Sequence, residues 1–167
     1  MTGPGHAPGV RVREAGDRDH AAVRRMLTAY HLTTEREKGC PVDDAARLPS
    51  AYRAEIAAGR PATGRLFLLL DDDAGAVGTY VLAPTPDRSA AELKRLWVEP
   101  AERGRGLGEL ALRDAVRRCA EAGTGTLRLS VWEWRSAAIS LYRRMGFTDH
   151  PPWDPRPGLV CLGRRTG

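Results

Sequence analysis

The sequence predicts a mixed α/β domain around one sheet, on three observations. Apolar residues alternate in some segments and recur at helical spacing in others, so both periods are present. The two kinds of segment interleave in the order β-α-α-β-β-β-α-β-α-β, a mixed α/β sandwich. The length, 167 residues with 42% hydrophobic and 28% charged, suits one compact core and leaves no room for a second.

Residues 1–9 read as a flexible lead and 10–167 as a single domain. Val10 and Val12 alternate with Arg11 and Arg13, as in a short edge strand. Asp17 reads as a helix N-cap, followed by an apolar stripe of Val23, Met26, Leu27 and Tyr30. Pro49 and Gly59 bound a weak helix over Ala51 to Ala58. Arg65 to Leu70 has a buried-strand pattern, Asp72 to Gly75 turns the chain, and Ala76 to Ala83 completes a β-hairpin. Pro84 to Ser89 turns it again into a strand over Ala91 to Val98, which Pro100 ends. A helix then runs to about Ala122 with Leu107, Leu110, Ala111, Ala115 and Cys119 inward, closed by Gly123 and Gly125. Leu127, Leu129 and Val131 alternate as a strand. Ser136 to Met145 reads as a helix closed by Gly146, and Leu159 to Leu162 as a last strand.

Composition removes several functional classes. The hydrophobic fraction is too high for a disordered chain. The strongest apolar run, Leu66 to Leu70, falls far short of the roughly 20 residues that span a bilayer. The N-terminal MTGPGHAPG lacks a signal peptide's apolar segment, so a cytoplasmic protein without membrane partners is expected. Cys40, Cys119 and Cys161 form no CxxC pair, and the four histidines have no ligand spacing, so neither a disulfide framework nor a metal is predicted. Basic residues number 26 against 21 acidic, a net charge of +5 with pI near 9.6. Lys38 and Lys94 are the only lysines. Such a surplus suggests a polyanionic partner, but the arginines are spread along the chain among acids. With aromatics at 6% and no RNP, helix-turn-helix or zinc pattern, no nucleic-acid partner is expected.

Chemistry concentrates in Leu93 to Gly108, LKRLWVEPAERGRGLG, a strand leading through a glycine-rich turn into a helix. Glycines allow close backbone approach, and a helix N-terminus presents unpaired N–H groups and the positive end of its dipole. Together these can cradle a phosphate. A Walker A loop needs a GK[ST] ending, which is absent. A dinucleotide fingerprint starting at Gly104 meets Glu109 where its third glycine belongs. A turn that only caps the helix is the remaining local alternative.

Arg103-x-x-Gly106-x-Gly108 after a strand ending Val98-x-Pro100 resembles the acetyl-CoA-binding motif of the GCN5-related N-acetyltransferases, the GNAT family. Downstream, Ala138-x-x-Leu141-Tyr142-x-x-x-Gly146-Phe147 resembles the family's A-x-x-L-Y-x-x-x-G-F signature. The ELKRLWV strand and the PPWDPRPG tail are similar to those of a subgroup of small bacterial members. The resemblance implies the GNAT fold: a mixed, mostly antiparallel sheet of six to seven strands flanked by about four helices. It also implies acetyl-CoA as cosubstrate and a primary amine as acceptor.

By this resemblance the backbone of Leu96, Trp97 and Val98 would bind the pantetheine arm. The pyrophosphate would lie on the N–H groups of Arg103, Gly104, Arg105, Gly106, Leu107 and Gly108, with Glu109 in the first helical turn. Arg103 and Arg105 can add charge-assisted bonds. The Val98 N–H would steady the developing oxyanion, and Tyr142 would protonate the leaving thiolate. Tyr142 also sits in an apolar helical stripe with Ala138, Leu141 and Met145, so a core role stands beside the catalytic one. The glutamate that some protein-acetylating members use as base falls on Ser130. Glu92 is the leading substitute, ahead of Glu133 and Asp154. The family's usual asparagine falls on Arg135, which could reach a phosphate, leaving Ser136 to cap the helix.

The missing glutamate and the tail around Trp153 and Asp154 favour a small-molecule or amino-acid acceptor. A protein or peptide acceptor, and a non-catalytic acyl-CoA sensor, are the alternatives. Dimerisation is frequent in the family, so a homodimer is also left open.

Overall fold

In the computed structural model, which describes residues 8–167, the apolar run Leu66–Leu70 forms the middle of strand β2 (Arg65–Asp71). All five residues are buried because both faces of the sheet are covered. Leu66, Leu68 and Leu70 join one core cluster, Phe67 and Leu69 the other. A strand buried on both sides reads as a continuous apolar run instead of alternating. Of the lead expected over 1–9, residues 1–7 lie outside the described residues.

Around β2 the elements are β1 (Val10–Glu14), α1 (His20–Glu37), α2 (Ser50–Ala58), β3 (Gly75–Pro84), β4 (Ala91–Val98), α3 (Leu107–Glu121), β5 (Thr126–Trp132), α4 (Ser136–Arg144), β6 (Thr148–Asp149) and β7 (Leu159–Arg165). The sheet order is β1-β2-β3-β4-β5-β7-β6. Every neighbouring pair is antiparallel except β4 and β5. This is an open seven-stranded, mostly antiparallel sheet with four helices. Helices α1 and α2 pack over one face through Val23, Met26, Leu27 and Ile56. Helices α3 and α4 cover the other through Leu107, Ala111, Leu112 and Tyr142.

Three local details depart from the sequence expectation. Helix α1 begins at His20, after a 3₁₀ turn over Asp17–Asp19. The carboxylate that holds this turn is Asp19, not Asp17: it accepts the Gly16 N–H at 2.8 Å and a two-pronged Arg13 contact at 2.7 and 2.9 Å. The Arg13 hydrogen bonds pull its pKa down to about 2. On α3, Leu112 is fully buried, while Leu110 only packs at the core margin. Strand β6 is two residues long, too short to leave a periodic signal.

The detail that matters most for the site is in β4. Gly78 pairs with Val98 and Thr79 with Trp97, but Val81 pairs with Lys94. Two residues of β4, Arg95 and Leu96, therefore stand opposite Tyr80 alone, which is a β-bulge. Arg95 takes φ +54°, a left-handed conformation uncommon for a residue with a side chain. The bulge inverts the facing of everything beyond it. Leu93 faces the α3 core, yet Trp97, four residues later, faces the α1 core, while Leu96 and Val98 turn toward α3. In an unbroken strand residues 93 and 97 would share a face.

Candidate active site

Strands β4 and β5 pair only through Ala91 with Leu127 and Glu92 with Arg128. Beyond these residues the strands splay apart, and one edge of β4 loses its partner. The Trp97 carbonyl points toward β3, 2.8 Å from where a Cβ on Gly78 would stand. Main-chain groups alternate along a strand, so those of Val98 turn to the open side. The Val98 carbonyl accepts the Arg103 Nε–H there at 3.0 Å.

Two helix N-termini border this gap. In α3 the first intrahelical amide bond is Leu110 N–H to the Gly106 carbonyl at 3.0 Å, which leaves the N–H groups of Leu107, Gly108 and Glu109 without helical acceptors. The turn leading in needs glycine. Gly104 and Gly106 have φ of +84° and +75°, and a Cβ on either would meet only open space. They are therefore demanded by conformation and not by crowding. In α4, Ser136 is the first helical residue and Arg135 holds the cap position, with no side-chain cap bond. The expected Ser136 cap is not made, so this helix also presents free N–H groups.

The space so enclosed is a cavity of about 670 Å³ lined by Leu96, Trp97, Val98, Arg103, Gly104, Gly106, Leu107, Gly108, Glu109 and the first turn of α4. The site residues expected on the strand, turn and helix thus stand together, with one exception. Arg105 is turned away: it is bonded to Asp71 at 2.7 Å and to Glu102. That contact, helped by the N–H groups of Ala74 and Asp73, lowers Asp71 to about 2. Arg105 therefore ties the glycine turn to the end of β2. Arg103 lies over the Trp97 ring at 4.9 Å, and its terminal nitrogens make no hydrogen bond among the described residues. Glu109 is paired with Arg113 one turn on. Exposed Trp134 joins the rim, stacked on Trp132 with ring centres 4.9 Å apart.

A second, smaller cavity of about 130 Å³ opens on the other side of the β4–β5 gap. Its walls come from α1, α2, β4, β5 and the tail before β7. Tyr30, Leu96, Arg135 and Tyr142 line both cavities, so the two spaces meet at these residues. Tyr142 is buried, and loss of solvent raises its phenol pKa well above the ordinary value, with Tyr30 adding to the rise and Arg135 opposing it. Arg135 is tied to α1 through Glu37 at 2.6 Å and Thr34 at 2.9 Å. It therefore braces the junction between the cavities.

Three carboxylates were candidates for base. Glu92 lines the smaller cavity with only long contacts, Arg128 at 3.8 Å and Lys94 at 4.0 Å. Asp154 also lines it but is forked by Arg156 at 2.8 to 3.1 Å, which lowers its pKa. Glu133 lines neither cavity. Ser130 lies in the smaller cavity wall. Trp153, in the same tail, does not line this cavity: it packs 5.0 Å from His150 and under Arg128 at 4.2 Å.

Sequence reasoning missed the deeper wall of this cavity. His31 is buried, stacked on Tyr52 at 4.1 Å, with Nε2 3.6 Å from Glu55. Burial would raise Glu55, but the nearby His31 and the two hydrogen bonds from Arg95 overcome it and bring the pKa down to about 2. Arg95 grips Glu55 with two bonds of 3.0 and 3.1 Å. The bulge gives Arg95 this direction.

Among the described residues no cluster of three or more His, Cys, Asp or Glu could hold a metal ion. No helix among them is long and apolar enough to cross a membrane.

Comparison with known proteins agrees with this architecture. Two curated relatives are an IAA acetyltransferase of Azospirillum brasilense, 30% identical over 89 residues, and a streptothricin acetyltransferase of Streptomyces lavendulae, 32% identical over 91 residues. The matches cover 53% and 54% of this chain but only 58% and 48% of the relatives. The chain thus spans about half the length of the curated relatives it matches. An acetyltransferase from Salmonella typhimurium, solved with its cofactor acetyl-CoA, shares the fold: TM-score 0.67, 19% identity, 95% of both chains covered. The sequence model of the Acetyltransferase (GNAT) family matches residues 24–147, and the chain belongs to that family.

Proposed function

We propose that the chain transfers an acetyl group from acetyl-CoA to the primary amine of a small molecule. The observation that carries this reading is the meeting of the two cavities at Tyr142. One is long and bordered by free helix N-termini; the other is small and polar. An anionic pyrophosphate suits the N–H groups at the start of α3, where the helix dipole is positive. The amide-bearing pantetheine arm suits the unpaired edge of β4 beside Val98. Acetyl-CoA, when bound, would supply the thioester carbonyl.

The chain's own residues supply the rest. An alkylamine with a pKa near 10.4 is almost wholly protonated at neutral pH and must lose a proton before it can attack. Glu92, the least committed carboxylate of the smaller cavity, takes that role. The Val98 N–H faces the gap, where it can stabilise charge on an oxygen. Tyr142, whose burial keeps the phenol protonated, carries the proton for the departing sulfur. Arg135, tied to Glu37 and Thr34 of α1, braces the junction beside it.

The acceptor cavity, about 130 Å³, is small beside the roughly 300–1,000 Å³ of sites for drug-sized ligands. That size supports a small acceptor over a protein. The test is thiol release from acetyl-CoA with a panel of amines, amino acids and short peptides. Amine-dependent release confined to small acceptors is expected. Release only with peptides, or none with any acceptor, would overturn the reading.

A further inference from the structure

The chain has 26 basic residues, of which only Lys38 and Lys94 are lysine, and both line the acceptor cavity. Arg95, Arg135 and Arg156 line it too, against two carboxylates, Glu92 and Asp154. The acids that balance the other cations stand at the sides or behind: Glu55 under Arg95, Glu37 beside Arg135 and Glu35 next to Lys38. Within the lining itself cations outnumber acids, and Lys94 is the cation without a close acidic partner among the described residues.

The arginines are already bound in forked or multiple contacts. Lys94 is not. Its nearest acid, Glu92, is 4.0 Å away, and its side chain is 41% exposed. Lys38 bonds Glu35 at 2.9 Å and lies over the Trp132 ring at 5.2 Å, with donor capacity to spare, since an ammonium has three. A lysine is a compact, rotatable point charge that can meet an anion from several directions.

We infer that the acceptor is a small amine that also carries an anionic group, a carboxylate or phosphonate, held by Lys94 with Lys38 while Glu92 faces the amine. This rests on the acetyl-transfer reading and names the substrate class for the same site. A polyamine or a neutral amine would leave Lys94 unmatched, and like charges facing each other oppose binding.

The test compares methionine, phenylalanine and β-alanine with their carboxamides and their decarboxylated amines in the thiol-release assay. The amine of a carboxamide is less basic and more often neutral, so intrinsic reactivity favours the amide. A preference for the acid then belongs to the pocket. The expected result is kcat/KM at least about tenfold higher for the acid of each active series, the scale of one lost charged contact. In Lys94→Met the acid-to-amide ratio falls toward one, and Lys94→Arg keeps part of it. Equal or better turnover of amides and decarboxylated amines, or an unchanged ratio in Lys94→Met, would overturn the inference while leaving acetyl transfer standing. No turnover of any amine would overturn both. Lys94 is half-exposed and outside both core clusters, so the variant should fold, which a thermal melt verifies.

Discussion

At the scale of single residues, the proposed acid and the proposed base are distinguished by their surroundings. Tyr142 sits where burial keeps a phenol protonated, so the proposed acid carries a proton at neutral pH. Asp154 shows the opposite bias: Arg156 holds it as a carboxylate, and a carboxylate so well satisfied is a poor base. Glu92 has no such grip. Replacing Glu92 with Gln should lower kcat/KM by roughly 10²-fold or more and remove the acidic limb of the pH–rate profile. An acidic limb that persists in Glu92→Gln would assign it to another group. Tyr142 and Glu92 could be singled out in the sequence, one from a motif and one from its place on the incoming strand. Arg95, Glu55 and His31 could not, because their contacts join residues far apart: Arg95 and Glu55 are 40 positions distant.

At the scale of elements, the glycine turn and the β4 bulge divide the work. The turn exposes the α3 N-terminus, and the bulge turns Leu96 and Val98 toward the slot while Trp97 locks into the opposite core. The turn was legible because its cause is local: glycines beside a helix start. The bulge was not, since LKRLWV reads as an ordinary strand and nothing in arginine announces a positive φ. Arg105 misled for a related reason. Its neighbours are the glycines of the proposed phosphate cradle, yet its own partner is Asp71, 34 residues earlier. Gly106→Ala would force a side chain into the left-handed region at a cost of about 1–2 kcal/mol, with no clash to relieve. The expected result is a clear loss of acetyl-CoA affinity by calorimetric titration. Gly125→Ala, also in open space but without a positive φ, should bind as the unaltered protein does. Equal affinities for the two variants would show that the turn does not need its left-handed glycine to bind the ligand.

At the scale of the molecule, many of the arginines stand in ion pairs. Arg65 with Glu14, Arg113 with Glu109, and Arg117 with Glu121 are exposed or half-exposed ion pairs of small individual worth. Others brace the site: Arg135 ties α4 to α1, and Arg95 ties β4 to α2. The fold sets the functional geometry by letting two neighbouring strands pair at one end only, so that a long slot and a small cavity open on either side of the gap. Their meeting point is Tyr142. The decisive experiment is Tyr142→Phe, assayed for acetyl-CoA affinity by titration and for amine-dependent thiol release at saturating substrates. Affinity close to that of the unaltered protein and kcat reduced by about 10²- to 10⁴-fold are expected. Turnover that survives intact in Tyr142→Phe would contradict its role as acid and return the residue to the core.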